Sequence, residues 1–404
     1  MYVTRFLEKE INKYLDRKEI LAVIGPRQSG KTTLIRHFFE KCKNAVFLDF
    51  EDRQTLELFS EDVDSFIELH VKNHDFVFID EFQYAKEGGK NLKHIYDSCK
   101  AKIIISGSSA TELSIQSIKY LVGRIFVFTL YPFSFEEYLN FKNEKLYGLL
   151  GSKQLTKQII ERIMPQFNEF CVFGGYPRVV LTEDKQEKEV VLRNIYNTYL
   201  LKEIKEILNL PEDYKLSKLI RALSLQIGGI VNYNELSDIT GFNHNDLLKH
   251  INVLEKTFVI ARSLPFYTNK RTELVKAPKA FFLDSGFRNA VIRNFQPIEN
   301  RTDKGSLYEN FVASELLKAG MELKYWRTKS MAEVDFVIEK NGNLMPIEIK
   351  SNLMRPNFTK SFSSFLEKYK PKKSLILSER LFAQKNKTKF RPTFNILNEI
   401  KSKE

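Results

Sequence analysis

The sequence predicts an α/β fold: a parallel sheet carrying a phosphate-binding loop, then helices, then a second α/β region of mixed strands. Three observations lead there. Gly25–Thr33 reads Gly-Pro-Arg-Gln-Ser-Gly-Lys-Thr-Thr, set between the apolar run Ile20–Ile24 and the helix-forming run Thr33–Phe39. A second apolar run, Phe76–Ile79, ends in the carboxylate pair Asp80–Glu81. Towards the other end, Asp335 lies on one expected strand and Glu348-Ile349-Lys350 on the next.

The first stretch is a P-loop in the strand–loop–helix context that gives the motif its meaning. Glycines let the backbone N–H groups turn towards phosphates, and the helix N-terminus adds its positive end. Gly25, Pro26, Arg27, Gln28, Ser29, Gly30, Lys31, Thr32 and Thr33 are therefore the expected ATP contacts. Lys31 reaches the β- and γ-phosphates, and the Thr32 hydroxyl ligates Mg²⁺. Asp80 joins the Mg²⁺ shell, and Glu81 takes the proton of the attacking water as general base. A third apolar strand, Lys102–Ser106, runs into Gly107-Ser108-Ser109. Ligands of open parallel sheets sit at the carboxyl ends of strands, so Ser108 or Ser109 is expected to sense the γ-phosphate. The bland reading is a serine turn capping the next helix. Arg124 is expected either to meet the γ-phosphate, in cis or from a neighbouring copy, or to form a surface ion pair. Oligomerisation is left open.

Composition sets the surroundings. A chain of 404 residues with 43% hydrophobic content is expected to make two to four globular domains. No run of apolar residues approaches a membrane span. The first ten residues mix acids and bases where a signal peptide needs an apolar core. The cysteines, Cys42, Cys99 and Cys171, lack metal-site spacing, and a cytoplasmic location is expected. Net charge is +12, and residues 355–391 hold eleven Lys/Arg against two Glu. Such a surface suits a phosphate backbone, although a solvated lysine-rich face reads the same way.

Residues 140–225 read as helical with breaks at Pro165 and Pro211. A compact pattern then follows: helix Tyr214–Ile227, a short capped helix ending at Gly241, and a helix from Asn243 to about Glu255. Two strands flank a loop with Lys270, Arg271, Lys276 and Lys279. Helix–turn–helix plus a basic two-stranded wing describes a winged helix. Its recognition helix would bury Leu247, Leu248, Ile251 and Leu254 and present Asn245, Asp246, Lys249, His250 and Asn252. That face suits DNA only weakly, and a protein-facing spacer is the other reading.

The C-terminal order is helix 305–319, strands at 323–327, 333–339 and 344–351, helix 358–369 and strand 374–378. This αβββαβ order resembles the PD-(D/E)XK nuclease core. Asp335 and Glu348 on adjacent strand ends can share a Mg²⁺ ion. In Glu348-Ile349-Lys350 the outer side chains face the same way, which points Lys350 at a metal-bound water. Glu309 is the expected further member, with Glu315 as the alternative. The basic stretch 355–391 is expected to rim this centre and favour DNA as partner.

The whole pattern resembles a prokaryotic AAA+-type ATPase family related to the STAND signalling ATPases, with a winged helix and a C-terminal PD-(D/E)XK nuclease-like domain of unknown function. The shared segments are 25–33, Gly107-Ser108-Ser109, Gly123-Arg124, Pro132-Phe133-Ser134-Phe135, Glu333-Val334-Asp335-Phe336 and Pro346-Ile347-Glu348-Ile349-Lys350. Ala332 stands where the family has glycine. The resemblance implies that Pro177, in Gly174-Gly175-Tyr176-Pro177, touches the nucleotide base; the residues alone make only a turn. The expected domains are a P-loop ATPase over 1–140, a helical lid over 141–213, a winged helix over 214–290 and the nuclease-like domain over 300–404. The expected function is ATP binding and hydrolysis coupled to a DNA-binding or nuclease-like module. The alternative is a non-cleaving ATP/ADP switch whose C-terminal domain is an inactive interaction module.

Overall fold

The computed structural model describes residues 2–401 except Lys86, 108–119, 153–154, Asn209, 211–213 and Asn341. They form two compact units, Met1–Pro132 with Lys256–Phe258, and Phe133–Glu255 with Val259–Glu404.

The first unit is built on five parallel strands: β1 (Ile20–Ile24), β2 (Ala45–Asp49), β3 (Phe76–Asp80), β4 (Lys102–Gly107) and β5 (Ile125–Thr129). They lie in the order β2-β3-β4-β1-β5. Both faces are covered, which is why these strands read as continuous apolar runs instead of alternating ones. On one face the helix Lys31–Phe39 packs Leu34, Ile35 and Phe38 against Leu21, Val23, Phe78 and Ile104. On the other, Phe50, Phe59, Phe66 and Phe82 form an aromatic cluster under Ile79 and Ile105. Because all five strands point one way, their carboxyl ends share one edge. The loop after β1 and Asp80 at the end of β3 both lie on it.

The second unit begins with helices, among them Phe135–Lys142 and Lys157–Phe173. Pro165, expected to break the chain, sits inside the second of these. Three further helices, Tyr214–Leu225, Tyr233–Thr240 and His244–Lys256, lead into an antiparallel pair, β6 (Ile260–Pro265) and β7 (Lys279–Phe282). After helix Lys304–Lys318 come β8 (Lys324–Arg327), β9 (Glu333–Val334), β10 (Phe336–Lys340) and β11 (Asn343–Lys350). Helix Lys360–Tyr369, β12 (Ser374–Ser378), β13 (Ala383–Lys385) and β14 (Thr388–Pro392) complete it. β9 and β10 are one extended stretch interrupted at Asp335. β8 pairs antiparallel to β9, β10 antiparallel to β11, and β11 parallel to β12, so the αβββαβ order is present.

The sequence does not announce how tightly this unit is knitted. β8 also pairs in parallel with β6, through Leu264↔Lys324 and Pro265↔Tyr325. One sheet, β7-β6-β8-β9, therefore spans the expected boundary between 290 and 300. The early helices share a core with the C-terminal region. Phe135 and Phe167 pack against Phe311 and Phe394, and Phe167 against Tyr308. Glu315 is fully buried, accepts from the Phe135 N–H at 3.1 Å and pairs with Lys318 at 3.0 Å. It serves the start of helix Phe135–Lys142, which removes it as the alternative to Glu309.

Candidate functional site

Two groups of chemistry-bearing side chains stand out, one in each unit. The first surrounds the loop Gly25–Gly30. Gly25 has φ 154°, and a Cβ there would lie 2.2 Å from the Leu130 carbonyl oxygen. Only glycine fits so close a strand-end approach. Gly30, at φ 95°, opens the helix Lys31–Phe39. Lys31 is buried, and its Nζ donates to the carbonyls of Gly25 at 3.2 Å and Pro26 at 2.9 Å. Those bonds hold the ammonium against the loop whose N–H groups precede the helix. Thr32 is half-buried and Thr33 exposed in the first turn, and the Ser29 hydroxyl is buried without a partner among the described residues.

On the same edge, Asp80 is 2% exposed and accepts at Oδ1 from the Glu81 N–H at 3.1 Å and from the Ser106 hydroxyl. Ser106 is the penultimate residue of the intervening strand β4, so it fixes the carboxylate between β3 and β1. Glu81 takes the left-handed conformation (φ 53°), and its carboxylate accepts from Gln83. The strand thus ends sharply after Asp80 and presents Glu81 on a separate vector. Ser108, the expected γ-phosphate sensor, lies outside the described residues.

Arg124 is not in this group. The Ile20 N–H donates to the Arg124 carbonyl at 2.8 Å, so Arg124 sits where β1 begins. The P-loop sits where β1 ends, about 15 Å away for a five-residue strand. Its guanidinium pairs with Asp97 at 3.1 Å and lies 5.8 Å from the Tyr96 ring. The expectation of a γ-phosphate contact in cis is corrected accordingly: the strand direction carries Arg124 to the wrong edge, and the ion-pair reading holds.

Sequence reading overlooked Arg5. This buried arginine donates from Nη1 to the Ser29 carbonyl at 3.0 Å and from Nη2 to the Tyr131 carbonyl at 2.5 Å. It clamps the P-loop to the segment after β5. No local signal marks it, because both partners are backbone atoms far along the chain. Arg5→Met is expected to weaken ATP binding about tenfold by loosening the loop, since each charged hydrogen bond contributes about 1.5–3 kcal/mol. Arg5→Lys should recover part of it; a titration with a fluorescent ATP analogue decides.

The second group lies in the other unit. Asp335, at the β9/β10 break, accepts from the Ile349 N–H at 2.7 Å. Glu348 is 2% exposed; its carboxylate accepts from the Thr359 hydroxyl at 2.9 and 3.1 Å and from Lys350 Nζ at 2.9 Å. Thr359 in turn caps the helix Lys360–Tyr369. Burial raises the Asp335 carboxyl to about 6, opposed by the ammoniums of Lys279 and Lys350, while Glu348 pushes it further up. Burial and then the Asp335 charge raise Glu309 to about 8. Burial pulls the Lys350 ammonium down, but Glu348, Asp335 and Glu309 outweigh it and hold it above its ordinary value. Glu309, Asp335, Glu348 and Lys350 thus form one electrostatic cluster. Among the described residues no group of three or more His, Cys, Asp or Glu side chains is gathered as a metal cage. A two-carboxylate Mg²⁺ site completed by water is still compatible with them, since Mg²⁺ keeps several waters. Carboxylates pushed upward by burial and by each other are the donor set that a cation relieves.

Several expected basic contacts are committed elsewhere. Lys270 pairs with Glu339 at 2.8 Å and Glu273 at 3.3 Å, and Lys279 is buried against Glu333. Lys389 and Arg391 both pair with Glu399. Lys372, Lys373 and Lys387 line a cavity of about 300 Å³ with Met345 and Ser374, where β12 begins. Glu348 and Lys350 pair with Ile376 and Ser378, where β12 ends. This lysine cluster therefore stands towards the opposite end of β12 from the carboxylates and does not rim them. On helix His244–Lys256 the expected face is rotated: His250 is buried and stacked on Phe242, and Leu248 is exposed.

In the turn Gly174–Pro177, the Gly175 N–H donates to buried Asp284 at 2.7 Å, and a Cβ on Gly174 would collide with that carboxylate. Pro177 starts the helix Pro177–Leu181 in the second unit.

Comparison with known proteins places these groups. Residues 17–139 match the family model of an AAA domain; residues 164–297 and 304–393 match two domains of unknown function. Most of the first unit is thus similar to an AAA domain, which supports a P-loop ATPase of AAA type. An uncharacterized protein of Haemophilus influenzae is 24% identical over 84% of each chain. An uncharacterized protein of Methanocaldococcus jannaschii is 25% identical over 83% of this chain and 75% of its own. Among solved structures, the Walker-type ATPase of Pyrococcus abyssi aligns with 72% of this chain and 96% of its own, at 16% identity and a TM-score of 0.48. The Aeropyrum pernix Orc1 protein, solved with DNA, covers 77% of this chain and 94% of its own at 12% identity and a TM-score of 0.31. Among the described residues no helix is long and apolar enough to cross a membrane.

Proposed function

We propose that the chain is an ATPase whose nucleotide cycle governs a nucleic-acid-binding, PD-(D/E)XK nuclease-like module. The observation that carries it is the shared edge on which Lys31, Thr32, Asp80 and Glu81 stand after the ends of β1 and β3. The loop N–H groups and Lys31 bind and orient the phosphates. Thr32 and Asp80 would hold Mg²⁺, which neutralises the charge of the β- and γ-phosphates. Glu81 accepts the proton of the attacking water as its oxygen approaches the γ-phosphorus and the bond to the ADP oxygen breaks. We read the three helices with β6 and β7 as a winged helix. Ser108 is kept as the γ-phosphate sensor.

In the second unit, Asp335 and Glu348 would hold Mg²⁺, which supplies an activated water and charge neutralisation at a scissile phosphate. Lys350 orients that water, and burial together with the Asp335 charge raises the Glu309 carboxyl above its ordinary value, a shift that a cation would relieve. The test is incubation of linear, circular and single-stranded labelled DNA with Mg²⁺ or Mn²⁺. Cleavage by the wild type, reduced about a hundredfold or more in Lys350→Ala, is the expected outcome. Cleavage of no substrate with either metal would remove the nuclease.

One observation favours a second reading, a non-cleaving ATP/ADP switch. Thr359 and Lys350 already bond the Glu348 carboxylate, and the lysine cluster stands near the start of β12 instead of beside it. ATP-dependent DNA retention without cleavage would support that version.

A further inference from the structure

The carboxylate cluster contains a second lysine, this one buried, and it comes from outside the αβββαβ segment. Lys279 opens β7, and its side chain is 3% exposed. Its Nζ donates to Glu333 and lies 5.4 Å from the Tyr325 ring centroid. Lys279, Glu309, Glu333 and Glu235 line one cavity of about 390 Å³, roofed by the turn Gly228-Gly229. That turn is tied to the same strand, since the Gly228 N–H donates to the Ala280 carbonyl at 3.1 Å. A Cβ on Gly228 would stand 2.8 Å from Glu309 Oε2, so the turn closes directly over that carboxylate.

Lysine is almost never fully buried unless paired. Here Lys350 is half-exposed and bonds Glu348, whereas Lys279 is buried against Glu333 in the cavity it shares with Glu309. Its Cα is fixed by the ladder to Ser263 and by the bridge to Ile230, so the charge cannot drift away. We infer that Lys279 is a positioning residue of the carboxylate centre, a built-in counter-cation that holds Glu309 and Asp335 together and weakens their attraction for a divalent ion. The inference rests on reading Asp335 and Glu348 as a divalent-cation site. It also means that the winged-helix strand, and not only the C-terminal strands, tunes the centre.

The test is a Mn²⁺ titration of the full chain, following free Mn²⁺ by electron paramagnetic resonance, together with melting curves. Lys279→Met should bind Mn²⁺ at least about tenfold more tightly than the wild type, because a fixed positive charge no longer opposes the ion. Lys279→Arg should stay near the wild type, and Asp335→Asn added to Lys279→Met should abolish the gain. Unchanged or weaker binding by folded Lys279→Met overturns the inference. Wild-type binding at this centre that is indifferent to both Asp335→Asn and Glu348→Gln overturns the reading beneath it. Saturable binding by neither the wild type nor Lys279→Met overturns both; binding by Lys279→Met alone supports the inference. If Lys279→Met does not fold, Lys279→Gln, which can still donate to Glu333, is read in the same way. If neither folds without the ion, refolding in Mn²⁺ supports the inference, and failure to refold overturns it.

Discussion

Lys31→Ala is expected to abolish ATP binding. The side chain is buried, and its ammonium is held within the P-loop by the Gly25 and Pro26 carbonyls. Delivering it to a phosphate exchanges those neutral acceptors for anionic ones, so most of its worth is realised in the complex. Hydrogen bonds to charged groups contribute about 1.5–3 kcal/mol each. Losing two corresponds to an affinity loss of a hundredfold or more. The free protein also loses two charge-assisted bonds to backbone carbonyls, about 1.5–3 kcal/mol each, so its melting temperature should fall. A lowered but cooperative melt beside absent binding of a fluorescent ATP analogue, measured below that melt, is therefore the expected pair of results. Binding at wild-type strength would remove Lys31 from the site.

Glu81→Gln separates binding from chemistry. Glutamine keeps the size of the side chain and a hydrogen-bond acceptor for Gln83, and the left-handed backbone at this position is unaffected by the change. What disappears is the base. General-base catalysis contributes about 10²–10⁴ in rate, so phosphate release should fall by that factor while analogue binding stays near the wild type. Hydrolysis at the wild-type rate would take Glu81 out of its role. Asp80 could not replace it, being buried and engaged by Ser106 and the Glu81 N–H.

Much of this was legible in the sequence where backbone geometry restricts residue choice. Gly25 and Gly30 mark the loop because the neighbouring strand end and the left-handed helix entry admit little else. Strands β1, β3 and β4 were readable because both faces of the sheet are buried, which demands unbroken apolar runs. The grouping of Asp335 with Glu348 and Lys350 followed from strand alternation. The misses share a physical cause: they depend on which strands become neighbours. Arg124 went to the far edge because β5 starts beside the start of β1. Arg5 and Lys279 act on atoms distant in sequence, and burial of His250 in place of Leu248 reflects a rotation that helical spacing alone leaves undetermined. The lysine stretch 355–391 was counted correctly as charge, but β12 and β14 distribute it over opposite ends of a sheet.

The pairing of β6 with β8 has a practical meaning for anyone dividing this protein. Two families of unknown function meet here, over 164–297 and 304–393, and their limits invite expression of the C-terminal segment alone. Such a fragment would begin after β6 and β7, leaving the β8 backbone without its neighbour and the carboxylates without Lys279. An orphaned strand edge is a template for aggregation. The gap between the two matched segments is thus no place to cut the chain.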